Sequence, residues 1–179
     1  MAIAVANRYA RALADVLGPQ GDYRRILSEL EDFAATYRHS GELRNVFESP
    51  ATPLAGRTKV LGAILERMGT AAVTVNFLRV LVANYRMSLI DQVGQAFRKI
   101  AHERLGVTEV RIESATTLSP AEREALRGRF ADITGRQVEL EFQLNPELLG
   151  GVLAQIQSTV YDGSVRGNLQ RMRQQLVNQ

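Results

Sequence analysis

Apolar residues recur at helical spacing over roughly the first 105 positions and at strand spacing through much of the rest. Residues 3–17 read as a first helix. Asp22 is placed to cap a second, which aligns Tyr23, Ile26, Leu30, Phe33 and Tyr37 on one face. A short helix around Leu43, Val46 and Phe47 is stopped by Ser49-Pro50, because the residue before proline avoids the helical region. Thr52-Pro53 reads as a cap followed by a first-turn proline, and Gly69 closes that helix after Met68. Thr70 opens a helix running to about Tyr85, and Ser88 opens the last, with Leu89, Val93, Phe97 and Ile100 in register. Six helices with short connections predict a bundle over residues 1–105.

After Leu105-Gly106 the period changes. Thr108, Val110, Ile112 and Ser114 alternate with Glu109, Arg111 and Glu113, which is strand spacing. Ser119-Pro120-Ala121-Glu122 has the form of a capping box, and the helix it opens carries Leu126, Phe130 and Ile133 before Gly135. Val138, Leu140, Phe142 and Leu144 then alternate strictly with polar residues, as a half-buried strand requires. Asn145-Pro146 breaks it, Gly150-Gly151 leads into a strand through Val152, Ala154 and Ile156, and Val160-Tyr161 forms a short mate. A final helix from about Ser164 lines up Val165, Leu169, Met172 and Leu176. The expected fold is α+β: an all-α domain over residues 1–105 and a small domain over 106–179 with a short β-sheet and two helices.

Two helices of the bundle are apolar over more of their circumference than one packing contact needs. In the first, the residues other than Asn7, Arg8, Arg11 and Asp15, among them Val5, Tyr9, Ala12, Leu13, Val16 and Leu17, spread over roughly 200° at 100° per residue. In the helix after Thr70, Val73, Val75, Phe77, Leu78, Val80, Leu81, Val82 and Tyr85 spread over about 220°. Either both helices are central and wrapped by the other four, or they share an outer groove that accepts a partner's amphipathic helix.

Composition narrows the function classes. The chain has 179 residues, 45% of them hydrophobic and 23% charged, and no cysteine, so disulfides, thiolate metal sites and cysteine nucleophiles are excluded. The net charge is +3, and only Lys59 and Lys99 among the 22 basic residues are lysine. Arginine richness of this kind can signal nucleic acid, but the basic residues are interleaved with acids and form no dense run, so no nucleic-acid partner is expected. No run of 18 apolar residues offers a membrane span, and the start lacks the basic and long apolar regions of a signal peptide. The two histidines, His39 and His102, read as surface residues, and His102-Glu103 lacks the second histidine of a zinc-protease helix. Glu29, Glu31 and Asp32, like Glu122 and Glu124, fall on predicted solvent faces. Asp162-Gly163-Ser164 could hold an anion at a helix N-terminus, but reads more simply as a cap with a tight turn. Catalytic, cofactor and metal sites are therefore expected to be absent.

Three stretches carry a resemblance. Asn7-Arg8-Tyr9-Ala10-Arg11-Ala12-Leu13 resembles the first helix of the delta subunit of bacterial F-type ATP synthases, a family that includes the mitochondrial oligomycin-sensitivity-conferring protein. Asn76-Phe77-Leu78-Arg79-Val80-Leu81 with Asn84-Tyr85-Arg86 resembles the family's fifth helix and its end. Gly150-Gly151-Val152 followed by Val160-Tyr161-Asp162-Gly163-Ser164-Val165-Arg166-Gly167-Asn168-Leu169 is similar to the family's ending. The likeness covers essentially the whole chain.

The resemblance implies a non-catalytic stator subunit, present once in a hetero-oligomeric complex, without a cofactor. It implies that the bundle holds the N-terminal helix of an alpha subunit of the catalytic head against helices one and five. The expected contacts are Tyr9, Ala12, Leu13, Val16, Asn76, Val80 and Ala83. The second domain would hold the C-terminal region of the b subunits near Arg166, Arg171 and Arg173. Gln170 stands where many members carry an acid. The absence of a transit peptide would favour a bacterial protein, on the cytoplasmic face of the inner membrane and held there by partners. The rival reading is an arginine-rich nucleic-acid-binding or regulatory helical protein.

Overall fold

A computed structural model of the chain describes residues 2–156, 158–167 and 169. The chain divides into two compact units, Met1–Leu105 and Gly106–Gln179. The fold is α+β, mostly helical, with one four-stranded sheet.

In the first unit the helices are α1 (Ala2–Leu17), α2 (Tyr23–His39), α3 (Gly41–Glu48), α4 (Leu54–Met68), α5 (Ala72–Ala83) and α6 (Ile90–Leu105). Their ends follow from local chemistry. The Asp22 carboxylate accepts the Arg25 N–H at 3.1 Å and starts α2. Ser40 serves two helices at once: its N–H donates to the Thr36 carbonyl at the end of α2, and its hydroxyl accepts the Leu43 N–H of α3. Gly69 closes α4 in the left-handed region at φ 64°.

Three helix starts differ from the sequence expectation. Thr52 does not cap α4; Pro53 occupies the cap position without a side-chain bond, and the Thr52 carbonyl accepts from Arg57 Nε instead. Thr70 turns its hydroxyl back onto the Leu65 carbonyl, so α5 begins two residues later at Ala72. Ser88 lies inside a 3₁₀ turn, Met87–Leu89, and α6 begins at Ile90.

All six helices contribute to one buried cluster. The face of α2 predicted from spacing (Tyr23, Ile26, Leu30, Phe33 and Tyr37) is buried throughout, and Tyr23 stacks on Phe97 of α6 at 5.9 Å. From α1 the buried residues are Ala6, Ala10, Leu13 and Ala14; three small side chains let α6 pack closely along it. His39 is exposed, but His102 is buried in α6, because the last turns of that helix still face the cluster through Ala101.

The second unit contains β1 (Val107–Ser114), α7 (Pro120–Thr134), β2 (Gln137–Leu144), β3 (Val152–Ile156) and β4 (Thr159–Asp162). The sheet order is β2-β1-β3-β4. β1 and β2 are parallel, from Val107 opposite Gln137 to Ser114 opposite Leu144, and α7 is the connection that parallel neighbours require. β3 runs antiparallel to β1 with Ala154 opposite Ile112, and β4 runs antiparallel to β3. The capping box forms as spaced: Ser119 accepts the Glu122 N–H, and the Glu122 carboxylate accepts the Ser119 N–H at 2.7 Å. Val110, Ile112, Phe130 and Ala154 form the core. Two residues expected inside are not. Leu144 sits at the end of an edge strand and Ile133 in the last turn of α7, where the chain turns at Gly135 into β2; both are exposed.

Candidate protein-binding surfaces

Helix α1 carries two apolar stripes with identical spacing. Ala6, Ala10, Leu13 and Leu17 point into the core; Val5, Tyr9, Ala12 and Val16 repeat the pattern one residue earlier, about 100° round the helix. The second stripe is left outside. Val5 and Tyr9 are partly covered, Ala12 is exposed, and Val16 is 73% exposed. Leu13, expected at the partner surface, is instead core, 2% exposed, because it lies on the inner stripe.

Helix α5 shows the same division. Thr74, Phe77, Leu78, Leu81 and Val82 are buried, whereas Asn76, Ala83 and Val80 are exposed, the last by 47%. Val73, Asn76, Val80 and Ala83 form the outer ridge, at spacings of three, four and three. The two helices touch through Tyr9 and Phe77, whose rings meet edge to face with centroids 6.5 Å apart. The outer stripe of α1 and the outer ridge of α5 therefore flank one aromatic contact, and neither helix is wrapped by the others.

Side chains from other helices hold α5 at both ends. No residue of its own caps its N-terminus. Glu29 of α2 does so from a distance in sequence: its carboxylate accepts the Ala71 N–H at 3.0 Å and the Thr74 hydroxyl at 2.5 Å, and pairs with Arg25 at 2.9 Å. Burial pushes the Glu29 carboxyl up, but the hydrogen bonds from Thr74, Arg25 and Ala71 outweigh it and hold the pKa below 4.5. Glu29 is thus not the solvated residue its helix face suggested. Glu31, also expected to face solvent, is ion-paired with Arg98 of α6 at 2.6 Å. At the other end Arg57 of α4, 1% exposed, donates to the Val82 carbonyl at 3.4 Å. Its guanidinium lies over the Tyr85 ring, 3.9 Å from the centroid, so a cation sits at the negative, C-terminal end of the helix dipole. Nothing in the spacing pointed to Glu29 or Arg57, since each acts across more than 20 residues of chain.

In the second unit, Asp162, Gly163 and Ser164 form a turn and cap. Asp162 Oδ1 accepts the Ser164 N–H at 2.8 Å, and the Ser164 hydroxyl accepts the Gly167 N–H at 3.0 Å. Helical backbone begins at Val165. Gly150 and Gly151 run against this turn: Gly163 N–H donates to the Val152 carbonyl, and Val165 N–H to that of Gly150. Arg166 is exposed, as are Val160, Tyr161, Val165 and Leu169. Arg171 and Arg173, with Gln170, Met172 and Leu176, lie outside the described residues.

Among the described residues there is no cluster of three or more metal-ligating side chains, and no helix is long and apolar enough to cross a membrane. The other shifted groups serve the fold. Burial and the hydrogen bond to Glu48 raise the pKa of Tyr37, and the cap hydrogen bonds from Ser119 lower that of Glu122.

A model of the family described as ATP synthase delta (OSCP) subunit matches residues 5–176. The ATP synthase subunit delta of Acidobacterium capsulatum is 38% identical over 175 residues, covering 97% of this chain and 98% of the relative. That of Geobacter metallireducens is 33% identical over 170 residues, covering 95% and 94%. A chain in the cryo-EM structure of the Toxoplasma gondii mitochondrial ATP synthase hexamer shares the fold, with a TM-score of 0.73 at 22% identity over 96% of this chain and 97% of that one. With a family match across nearly its whole length and close relatives of the same size, the chain belongs to the delta (OSCP) family of F-type ATP synthase subunits, which are non-catalytic components of the peripheral stalk.

Proposed function

We propose that the first unit acts as a six-helix bundle that clamps the N-terminal helix of an alpha subunit of the catalytic head between α1 and α5. The observation that carries this reading is the outer stripe Val5, Tyr9, Ala12 and Val16, set beside Val73, Val80 and Ala83 across the Tyr9–Phe77 contact. An amphipathic helix laid along that line would bury apolar side chains that the chain leaves in water, the driving force of helix-in-groove binding. Leu13 supports the groove from beneath without touching the occupant. A stator joint must resist torque. The fixing of α5 at both ends, by Glu29 and Arg57, supplies a wall that does not yield when the head is turned.

The second unit holds the C-terminal region of the b subunits in this reading, with Arg166 and the apolar residues Val165 and Leu169 at the surface of the terminal helix. The two joints together keep the head from rotating with the rotor, and the subunit sits at the cytoplasmic face of the inner membrane by way of its partners.

The test exploits the absence of cysteine. In the assembled synthase, Ala12→Cys or Val80→Cys should cross-link to a cysteine placed in the alpha subunit's N-terminal helix, and Arg166→Cys to the b subunits. Cross-linking of Val80→Cys to b and not to alpha would reverse the assignment.

A further inference from the structure

The charges around the α1/α5 groove are one-sided. Travelling outward from Tyr9 round α1, the stripe ends at Ala12 and is followed by Arg8, Asp15 and Arg11; Arg8, Arg11 and Asp15 border a shallow surface depression with Ala12. Travelling outward from Phe77 round α5, the ridge through Val80 and Ala83 is followed by Arg79, and Arg86 stands just past the helix end. Helix α5 contains no acidic residue, and Asp15 is the only one in α1. Elsewhere in this unit Arg25 pairs with Glu29, Arg38 with Asp91 and Arg98 with Glu31. Among the described residues Arg8, Arg11, Arg79 and Arg86 make no ion pair, and all four are exposed.

We infer that the occupant of this groove is an amphipathic helix whose polar flanks are acidic. This rests on the groove reading above and adds the partner's charge. The geometry is that of an apolar floor between two cationic rims. A helix seated on Tyr9, Ala12, Val16 and Val80 turns its polar flanks toward Arg8 on one side and Arg79 on the other. Carboxylates there meet unpaired guanidiniums; lysines there would meet like charge. The contacts stay at the solvent edge, so each contributes little alone, and their sum acts mainly on discrimination and on the rate of encounter.

The experiment titrates the full chain with two labelled helical peptides of about 20 residues that share one apolar face, sized to span the groove. One carries Glu and Gln on its flanks, the other Lys and Gln. Anisotropy is read at roughly 50 mM and 500 mM salt, which bracket weak and strong screening. The expected result is binding of the acidic peptide about tenfold tighter at low salt, the sum of a few exposed pairs. That preference should shrink at high salt and in Arg8→Gln/Arg79→Gln, whose far-UV circular dichroism stays native. Equal binding of both peptides, or tighter binding of the Lys peptide, overturns the inference while leaving the groove in place. Failure of both peptides to bind a folded chain removes the groove itself, and the inference with it.

Discussion

The ring of Tyr9 meets the ring of Phe77 edge-on, with the planes at 74°, and this pair joins α1 to α5 at the floor of the outer groove. Tyr9 is half-buried and Phe77 almost fully so, which makes the pair both a structural tie and a surface. Tyr9→Ala should cost about 2 kcal/mol, less than full burial of an aromatic would imply, whereas Tyr9→Phe should be close to neutral because the ring supplies the contact. Chemical denaturation of both variants checks this. A Tyr9→Ala protein as stable as the parent would mean that the pair does not hold the helices together.

The two stripes of α1 predict opposite responses from neighbouring apolar residues. Leu13→Ala should destabilise by about 2–5 kcal/mol by leaving a cavity, and Val16→Ala by less than about 0.5 kcal/mol. Binding of the head helix should show the reverse order once the destabilised variant is measured under folding conditions. Comparable stability losses at both positions would put Val16 in the core.

Glu29 predicts a pH dependence. Its folded-state pKa lies below the ordinary value of 4.5, so its contribution to stability is fully present above that value and is lost as pH falls through the folded pKa. Glu29→Ala should cost about 1–3 kcal/mol at neutral pH, because the Ala71 N–H and Thr74 hydroxyl lose their acceptor. In Glu29→Gln the stability below pH 4.5 should fall less steeply than in the parent. Denaturant midpoints across pH 3 to about 7 decide the matter, and parallel curves would show that Glu29 does not titrate with folding.

Gly151 sits at φ 79°, and a Cβ there would lie against the Gly163 carbonyl and 2.9 Å from the Ser164 Cα. Gly151→Ala should therefore destabilise the second unit by about 2–4 kcal/mol, through both backbone strain and the close approach. Hydrogen exchange provides the readout. Amides of β3 and β4 should lose protection while those of α1–α6 keep theirs. Uniform loss across the chain would mean that the two units unfold together.

Much of this is legible in the sequence because the relevant chemistry is local. Asp22 with Arg25, and Ser119 with Glu122, lie three residues apart, so spacing alone identifies their caps. The alternation of β1 and β2 was equally plain, but their parallel pairing depends on how α7 crosses the sheet, which alternation does not encode. The wide apolar arc of α1 announced a surplus face, yet its two stripes are both apolar and have the same spacing. Only the packing of α6 decides that Leu13 goes in and Val16 stays out. Glu29 and Arg57 escaped notice for a related reason. Each fixes α5 through atoms 42 and 25 residues away, and a charged residue on an amphipathic helix looks solvated until its partner is placed.

The most direct measurement is a calorimetric titration of the full chain with a synthetic peptide of the alpha subunit's N-terminal helix, repeated with Val80→Asp. The account predicts saturable one-to-one binding with a negative heat-capacity change, the signature of apolar burial. It predicts affinity reduced by about tenfold or more in Val80→Asp, with helical content unchanged, because the introduced carboxylate must be buried without a partner. Absence of binding by the folded parent at several temperatures, or equal affinity in parent and variant, would contradict it: the outer faces of α1 and α5 would then not be where the head is held.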